Sequence, residues 1–113
     1  MAENVESTIE HTKSRCTLFQ DTIELVGRRW SAAILQATTA GPTRYSDYLA
    51  VIDGISDRLL TQRLKELAEA GILSREVLPT SPVQVRYELT QSGLELITAM
   101  EPLGGWGSKW LTH

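Results

Sequence analysis

The chain has 113 residues, 42% of them hydrophobic, and a net charge of −3. This length suits one domain, and no run approaches the roughly 18 apolar residues of a membrane span, so we expect no membrane partner. The polar, acidic residues 1–15 do not resemble a secretory signal, and the single cysteine, Cys16, excludes an internal disulfide, so we expect a cytoplasmic protein.

Hydrophobic periodicity predicts four helices before any strand. Residues 1–15 have no sustained pattern, and we expect a flexible N-terminal arm or a short helix there, followed by a single domain over residues 16–113. Apolar residues at helical spacing then predict helices over residues 18–26, 29–39, 46–51 and 56–70. Gly27, Gly41-Pro42 and Gly71 lie where these helices are expected to end.

The last third of the chain is predicted to form a hairpin and a final helix. Residues 72–78 and 83–89 are expected strands, because apolar and polar residues alternate strictly in the second of them, and residues 79–82 form the turn. Thr90 is expected to cap a helix that the glycine-rich run at 104–107 ends. The predicted order is α-α-α-α-β-β-α.

The helix over residues 56–70 is the main candidate for function. Ser56 suits its N-cap, and three leucines at helical spacing form its buried stripe. Arginine and glutamine can bond bidentately to guanine and adenine edges in the major groove. We therefore expect the outward-facing side chains to contact bases, although any solvated helix would show a similar face. These side chains are Arg58, Thr61, Gln62 and Lys65.

A hairpin directly after such a helix predicts a winged helix-turn-helix, an α+β fold that is mostly α, with a two-stranded wing. The wing would lie near the DNA backbone, and we expect phosphate contacts from Arg44, Ser56, Arg75 and Arg86. Residues 28–86 hold eight basic and six acidic side chains, whereas both ends are acidic, so local charge permits DNA binding. The alternative is a winged helix that serves only for protein–protein contact.

Several short runs between residues 16 and 111 match the pattern of a known family: Cys16, Leu25-Val26-Gly27-Arg28-Arg29-Trp30, Gly41-Pro42-Thr43-Arg44-Tyr45, Gly54-Ile55-Ser56, Leu60-Thr61-Gln62-Arg63-Leu64-Lys65-Glu66-Leu67, Gly71-Ile72-Leu73-Ser74-Arg75 and Val85-Arg86-Tyr87-Glu88-Leu89-Thr90. In these runs the chain resembles the HxlR-type winged helix-turn-helix transcriptional regulators, relatives of the MarR group. Tyr45 stands where the family's Gly-x-x-Arg-Phe pattern has phenylalanine. Two further departures are visible: Thr17 replaces a common proline and Arg86 a common glutamate.

The resemblance implies a homodimer that binds a pseudo-palindromic operator in double-stranded DNA. We expect the N- and C-terminal helices, residues 17–26 and 90–103, to be the dimerisation helices. Several members use a cysteine at the location of Cys16 as a sensor of oxidants or electrophiles. The alternative is a structural cysteine at a dimer contact.

A third hypothesis is a regulator gated by a small-molecule effector, whose identity is unknown, held at the junction of the dimer helices and the core. Four aromatic residues are candidates to line such a pocket, with ordinary core packing as the alternative: Phe19, Trp30, Tyr45 and Tyr48.

No pattern in the sequence predicts catalysis, a metal site or a cofactor. His11 and His113 lie near the ends of the chain, and the lone cysteine cannot form a zinc-binding pair. No glycine-rich phosphate loop precedes a helix, and no nucleophile elbow is present. We therefore expect a protein that is not an enzyme.

Overall fold

The computed structural model describes the backbone of residues 2–41 and 43–111 and the side chains of residues 14–41 and 43–111. Pro42 and His113, both used in the predictions above, lie outside the described residues. The chain divides into two compact units, residues 1–32 and 33–113. Its elements are α1 (Ala2–Gly27), α2 (Ser31–Thr38), β1 (Thr43–Arg44), α3 (Tyr45–Val51), α4 (Asp57–Glu69), β2 (Leu73–Leu78), β3 (Gln84–Leu89) and α5 (Gln91–Trp110). The predicted class, mostly α with a two-stranded wing formed by β2 and β3, is confirmed.

The first unit consists of α1, residues 28–30 and the first two residues of α2, Ser31 and Ala32. The α1 backbone is helical without interruption from Ala2 to Gly27. The division into a flexible arm over residues 1–15 and a domain over residues 16–113 stays a prediction. α2 begins at Ser31, two residues later than predicted. The reason is Trp30, whose φ of 78° lies outside the helical region and places the residue in a turn.

The core of the second unit lies among α2, α3, α4 and the sheet. Leu60, Leu64 and Leu67 are fully or almost fully buried, which confirms the predicted stripe of α4. The Tyr48 hydroxyl lies 2.6 Å from Thr38 Oγ1, so a buried hydrogen bond joins α3 to α2. The other buried apolar residues of this unit are Ile34, Leu35, Tyr48, Ile52, Ile55, Ile72, Leu73 and Tyr87.

The sheet is antiparallel and has three strands in the order β1-β3-β2. The strand β1 was not predicted. It has only two residues, Thr43 and Arg44, which pair with Tyr87 and Arg86. A two-residue strand carries no periodicity, since it exists only through its pairing with β3.

The helix α5 runs from Gln91 to Trp110 and contains Pro102 and the glycine-rich run, so the predicted break at residues 104–107 is wrong. Glycine lowers helix stability by about 1 kcal/mol per residue but does not forbid the conformation. A continuous helix keeps Leu103, Trp106 and Trp110 at i, i+3 and i+7, near one side. Of the helices in the described part of the chain, none has the length and hydrophobicity to cross a membrane. The cytoplasmic location stays a prediction.

Candidate nucleic-acid interface

The start of α4 is held by a side-chain cap. Ser56 Oγ accepts a hydrogen bond from the backbone N–H of Leu59 at 3.1 Å, as its predicted N-cap role requires. Asp57 lies in the first turn, where a negative charge is favoured by the helix dipole. With the leucine stripe buried, the opposite face of α4 points to solvent. The structure places all four predicted base-contacting residues there, each of them exposed: Arg58, Thr61, Gln62 and Lys65.

The Gln62 side chain is hydrogen-bonded to Glu66, and this contact must break before Gln62 can bind a base. Its Nε2 donates to Glu66 Oε1 at 3.2 Å, and Glu66 also accepts from Arg63 at 3.1 Å. Such contacts between residues three or four positions apart on a helix contribute only about 0.2–0.5 kcal/mol. Exchange of the Gln62 contact for a bidentate bond to adenine therefore costs little.

The contact that joins α3 to α4 was not predicted from the sequence. The Tyr45 hydroxyl lies 3.0 Å from Asp57 Oδ1 and 3.1 Å from the Asp57 carbonyl oxygen, and it lies 3.3 Å from Thr61 Oγ1. Burial raises the pKa of the Tyr45 phenol above 10.0; the hydrogen bond from Thr61 opposes this and Asp57 adds to it. The phenol is therefore protonated at neutral pH. Because its partners are 12 and 16 residues away, no local spacing in the sequence indicates them.

A groove of about 430 Å³ lies between the first half of α4 and the sheet. Two cationic side chains, Arg44 and Arg75, border it, and Thr61 contributes from α4. Its position next to the exposed face of α4 is suited to a backbone phosphate. The remaining lining residues are Tyr45, Ser46, Val83, Gln84, Val85 and Tyr87.

The strand register places the two wing arginines on opposite faces of the sheet. Arg75 is paired with Tyr87, whereas Arg86 is paired with Glu76 one position along. Directly opposed residues of antiparallel strands share a face, and successive residues alternate between faces. Arg86 donates to Glu76 Oε2 at 3.0 Å. Arg75 has no ion-pair partner among the residues whose side chains are described, so its charge is the less compensated of the two.

Arg44 lies at the edge of the groove in a polar setting. Its Nε is 3.5 Å from Asp47 Oδ2, and its guanidinium donates to Gln84 Oε1 at 3.4 Å. Both contacts are long and exposed, and exposed ion pairs of this kind contribute at most about 1 kcal/mol. The Arg44 side chain can therefore leave Asp47 for a phosphate.

In the first unit, α1 has an exposed apolar face that includes the only cysteine. Cys16 is a free, exposed thiol. Phe19 and Ile23, three and seven positions further along, are 69% and 41% exposed. Large apolar side chains clustered on a surface in this way mark an interaction site.

In the second unit, α5 has an apolar face of the same kind. Trp106 is 56% exposed and Trp110 is 63% exposed, and Leu103 lies one turn before Trp106 and two turns before Trp110. The Lys109 ammonium lies 5.3 Å from the centre of the Trp110 ring. This face is also suited to contact with another protein surface.

The four candidates for a ligand pocket have different environments. Tyr48 is fully buried and its ring packs edge-on against Tyr87 at 6.2 Å, so it belongs to the core of the second unit. Phe19 and Trp30 belong to the first unit. The Trp30 Nε1 is buried and has no hydrogen-bond partner in the described part of the chain. A pocket built from Phe19, Trp30, Tyr45 and Tyr48 stays a prediction.

Metal binding has no candidate site within the part of the chain whose side chains are described, since no group of three or more histidine, cysteine, aspartate or glutamate residues is placed to hold an ion.

Comparison with known sequences gives one family model and several curated relatives. The family model described as HxlR-like helix-turn-helix matches residues 25–113. YvaP of Bacillus subtilis strain 168, named an uncharacterized HTH-type transcriptional regulator, is 32% identical over 96 residues, which are 85% of this chain and 89% of YvaP. The HTH-type transcriptional regulator YodB of the same organism is 34% identical over 95 residues, 84% of this chain and 85% of YodB.

Comparison with solved structures gives the same class of protein. The reduced form of YodB from Bacillus subtilis has a TM-score of 0.74 and 34% identity, and the match covers 81% of this chain and 90% of that one. The diamide-treated form of YodB also matches, with a TM-score of 0.72. The redox regulator HypR in its oxidised form has a TM-score of 0.76 and 27% identity, over 84% of this chain and 98% of HypR.

Proposed function

Since the chain belongs to the HxlR-like helix-turn-helix family, we propose that it is a homodimeric transcriptional regulator that binds a pseudo-palindromic operator with α4 in the major groove. Family membership confirms the resemblance seen in the sequence. Its relatives are transcriptional regulators, a non-enzymatic class, which confirms the expectation that the protein is not an enzyme. The observation that carries the proposal is the exposed face of α4 beside a groove bordered by two arginines.

The chemistry of this face suits base recognition. The major groove is about 12 Å wide and admits an α-helix, with base contacts made from the first turns of that helix. Arg58 and Gln62 supply side chains that can bond bidentately to guanine and adenine, and Thr61 and Lys65 lie on the same face. The Ser56 cap keeps the start of α4 in place while these contacts form.

Phosphate contacts would come from the side of α4 where the groove lies. Arg44 and Arg75 border that groove, and we assign them, with Ser56, to the DNA backbone. Arg86 does not line the groove and donates to Glu76, so we assign it a lesser share. A net charge of −3 per chain opposes DNA at long range, and these local cations must overcome it.

The proposed dimer uses the apolar faces of α1 and α5. Each face exposes large side chains that a second copy of the chain would cover, Phe19 on α1 and Trp106 and Trp110 on α5. A two-fold dimer is the commonest symmetric assembly. It would present two copies of α4 about 34–36 Å apart, one turn of DNA, and so match a palindrome.

DNA binding is tested by fluorescence anisotropy with a labelled duplex from upstream of the chain's own gene and a scrambled duplex of the same composition. We expect tight binding to the first, weak binding to the second, and a steep fall of affinity with salt because phosphate contacts release counterions. Sedimentation of the free protein tests the dimer. Equal, weak and salt-insensitive binding to both duplexes would instead support the protein–protein interaction module.

The same proposal includes a response to oxidants through Cys16. The thiol is exposed on the apolar face of α1, and similar structures include the redox regulator HypR and a diamide-treated form of YodB. Because each chain has one cysteine, two copies of Cys16 would form an intersubunit disulfide; diamide would take up the two electrons and two protons that the thiols lose. This oxidation would change how the two copies of α4 are spaced.

A small-molecule effector is the alternative signal, and one observation favours it. The buried Trp30 Nε1 has no partner in the described part of the chain, so it could donate to a bound acceptor. Cys16→Ser separates the two models. If the variant still binds operator but no longer responds to diamide, the thiol is the sensor; an unchanged response would favour the effector model.

A further inference from the structure

The first two turns of α4 share one hydrogen-bond network with α3. Tyr45 is half-buried, and its hydroxyl contacts both oxygens offered by Asp57, at 3.0 and 3.1 Å, and the hydroxyl of Thr61, at 3.3 Å. Thr61 is exposed on the face that we assign to base recognition. The network therefore connects a half-buried residue at the start of α3 to a side chain that would contact DNA.

Counting protons decides the direction of these hydrogen bonds. A phenol has one proton to donate, and a carboxylate or a carbonyl oxygen can only accept. The charged Asp57 carboxylate is the stronger acceptor, so the Tyr45 proton points to Asp57. Thr61 must then donate its own proton to the Tyr45 oxygen. The Thr61 hydroxyl can then only accept a hydrogen bond from another partner, through an oxygen lone pair.

We propose that the Tyr45 hydroxyl is a positioning group that makes Thr61 a hydrogen-bond acceptor, so that Thr61 selects adenine or cytosine over guanine or thymine. In the major groove adenine and cytosine present amino donors at N6 and N4, whereas guanine O6 and thymine O4 are acceptors. When Thr61 faces guanine O6 or thymine O4, its hydroxyl has no proton left to donate to that oxygen. This inference rests on the proposed function, because it requires α4 to lie in the major groove.

Burial is the largest cause that raises the pKa of the Tyr45 phenol above its ordinary value; Thr61 lowers this pKa and Asp57 raises it. The phenol therefore keeps its proton at neutral pH, and the hydrogen-bond direction persists under physiological conditions.

Tyr45→Phe is the variant that tests the proposal. It removes one oxygen and keeps the ring, and phenylalanine is the residue in the family's own pattern at this position, so the fold should persist. Without the phenol oxygen the Thr61 hydroxyl is free to rotate and can donate to guanine or thymine as well as accept. We expect the selectivity at the position that Thr61 contacts to relax.

The experiment selects binding sites from a pool of duplexes with about 24 randomised base pairs, enough for two half-sites one turn apart. The proteins compared are wild type, Tyr45→Phe, Thr61→Val and the double variant, with circular dichroism to check folding. The preference at each position is the ratio of affinities for the four bases. One neutral hydrogen bond corresponds to about a two- to tenfold ratio.

We expect one position per half-site at which wild type prefers adenine or cytosine, and at which Tyr45→Phe and Thr61→Val both lose that preference. Tyr45→Phe should add nothing in the Thr61→Val background, since the two residues act through one bond. A Thr61-dependent position that prefers guanine or thymine overturns the inference, and so does a preference that Tyr45→Phe leaves intact. Wild type that enriches no sequence at all would instead refute the proposed function.

Discussion

Replacement of Gly93 by alanine should destabilise the protein, although the same change stabilises most helices. Gly93 is buried in the first turn of α5. An alanine Cβ there would overlap the Ile72 carbonyl oxygen and lie 3.0 Å from Leu89 Cδ2. The Ile72 oxygen cannot simply move away, because it accepts from the backbone N–H and the hydroxyl of Thr90, both at 3.0 Å.

The magnitude follows from these contacts. In an open helical position, alanine is favoured over glycine by roughly 0.5–1 kcal/mol. At Gly93 the overlap is with backbone, and overpacking of this kind costs about 1–3 kcal/mol. Movement of α5 to relieve it would weaken the two Thr90 hydrogen bonds, each of which contributes about 0.5–1.5 kcal/mol. We expect a net loss of about 2–4 kcal/mol in the free energy of unfolding.

The assay is urea unfolding followed by circular dichroism, with all variants at one protein concentration because a dimer's stability depends on it. Gly105→Ala is the matched control, since it lies in the same helix and an added Cβ there meets nothing within 4 Å. It should leave stability unchanged or raise it. If Gly93→Ala proved as stable as wild type, the close approach of α5 to Ile72 would be refuted as the reason for a glycine here.

Three further predictions concern DNA binding and ionisation. Gln62→Ala should reduce the preference for operator over scrambled DNA by about 1–3 kcal/mol. The control is Gln36→Ala, which changes an exposed glutamine on α2 and should leave this preference unchanged. Equal effects of the two substitutions would contradict the placement of α4 in the major groove. Arg75→Ala should weaken binding to all duplexes and reduce the slope of log affinity against log salt concentration by about 1. Arg86→Ala should have a smaller effect because Glu76 already pairs with Arg86. If anisotropy titrations gave the reverse order, the assignment of the groove to phosphate would be contradicted. Burial raises the pKa of Tyr48 above 10.0. The contribution of Tyr48 to stability should therefore be complete below that pH and be lost as the pH rises toward the folded-state pKa, because only the unfolded phenol ionises readily in that range. Urea unfolding of wild type and Tyr48→Phe across the alkaline range checks this, and identical pH profiles would refute it.

Several features of the fold were predictable because their causes are local. The α4 helix has a cap, a charged first turn and a leucine stripe within fourteen consecutive residues, 56–69, and the structure has all three. The hairpin was equally visible, since alternation in β3 needs only the strand itself. Two features were not predicted because their causes are non-local or conformational. The strand β1 exists only through pairing with β3, and α2 starts two residues late because Trp30 adopts a positive φ.

The sequence by itself determined the family, the class of fold and the face of α4, because capping, periodicity and motif spacing act between residues close along the chain. Only the tertiary structure decided which arginine of the wing shares a face with Tyr87 and which is bound to Glu76, since one residue of register reverses the face of every side chain. It also decided that Tyr45 reaches Asp57 and Thr61. That contact depends on how α3 and α4 pack, and packing brings together hydroxyls that are 16 residues apart in the chain.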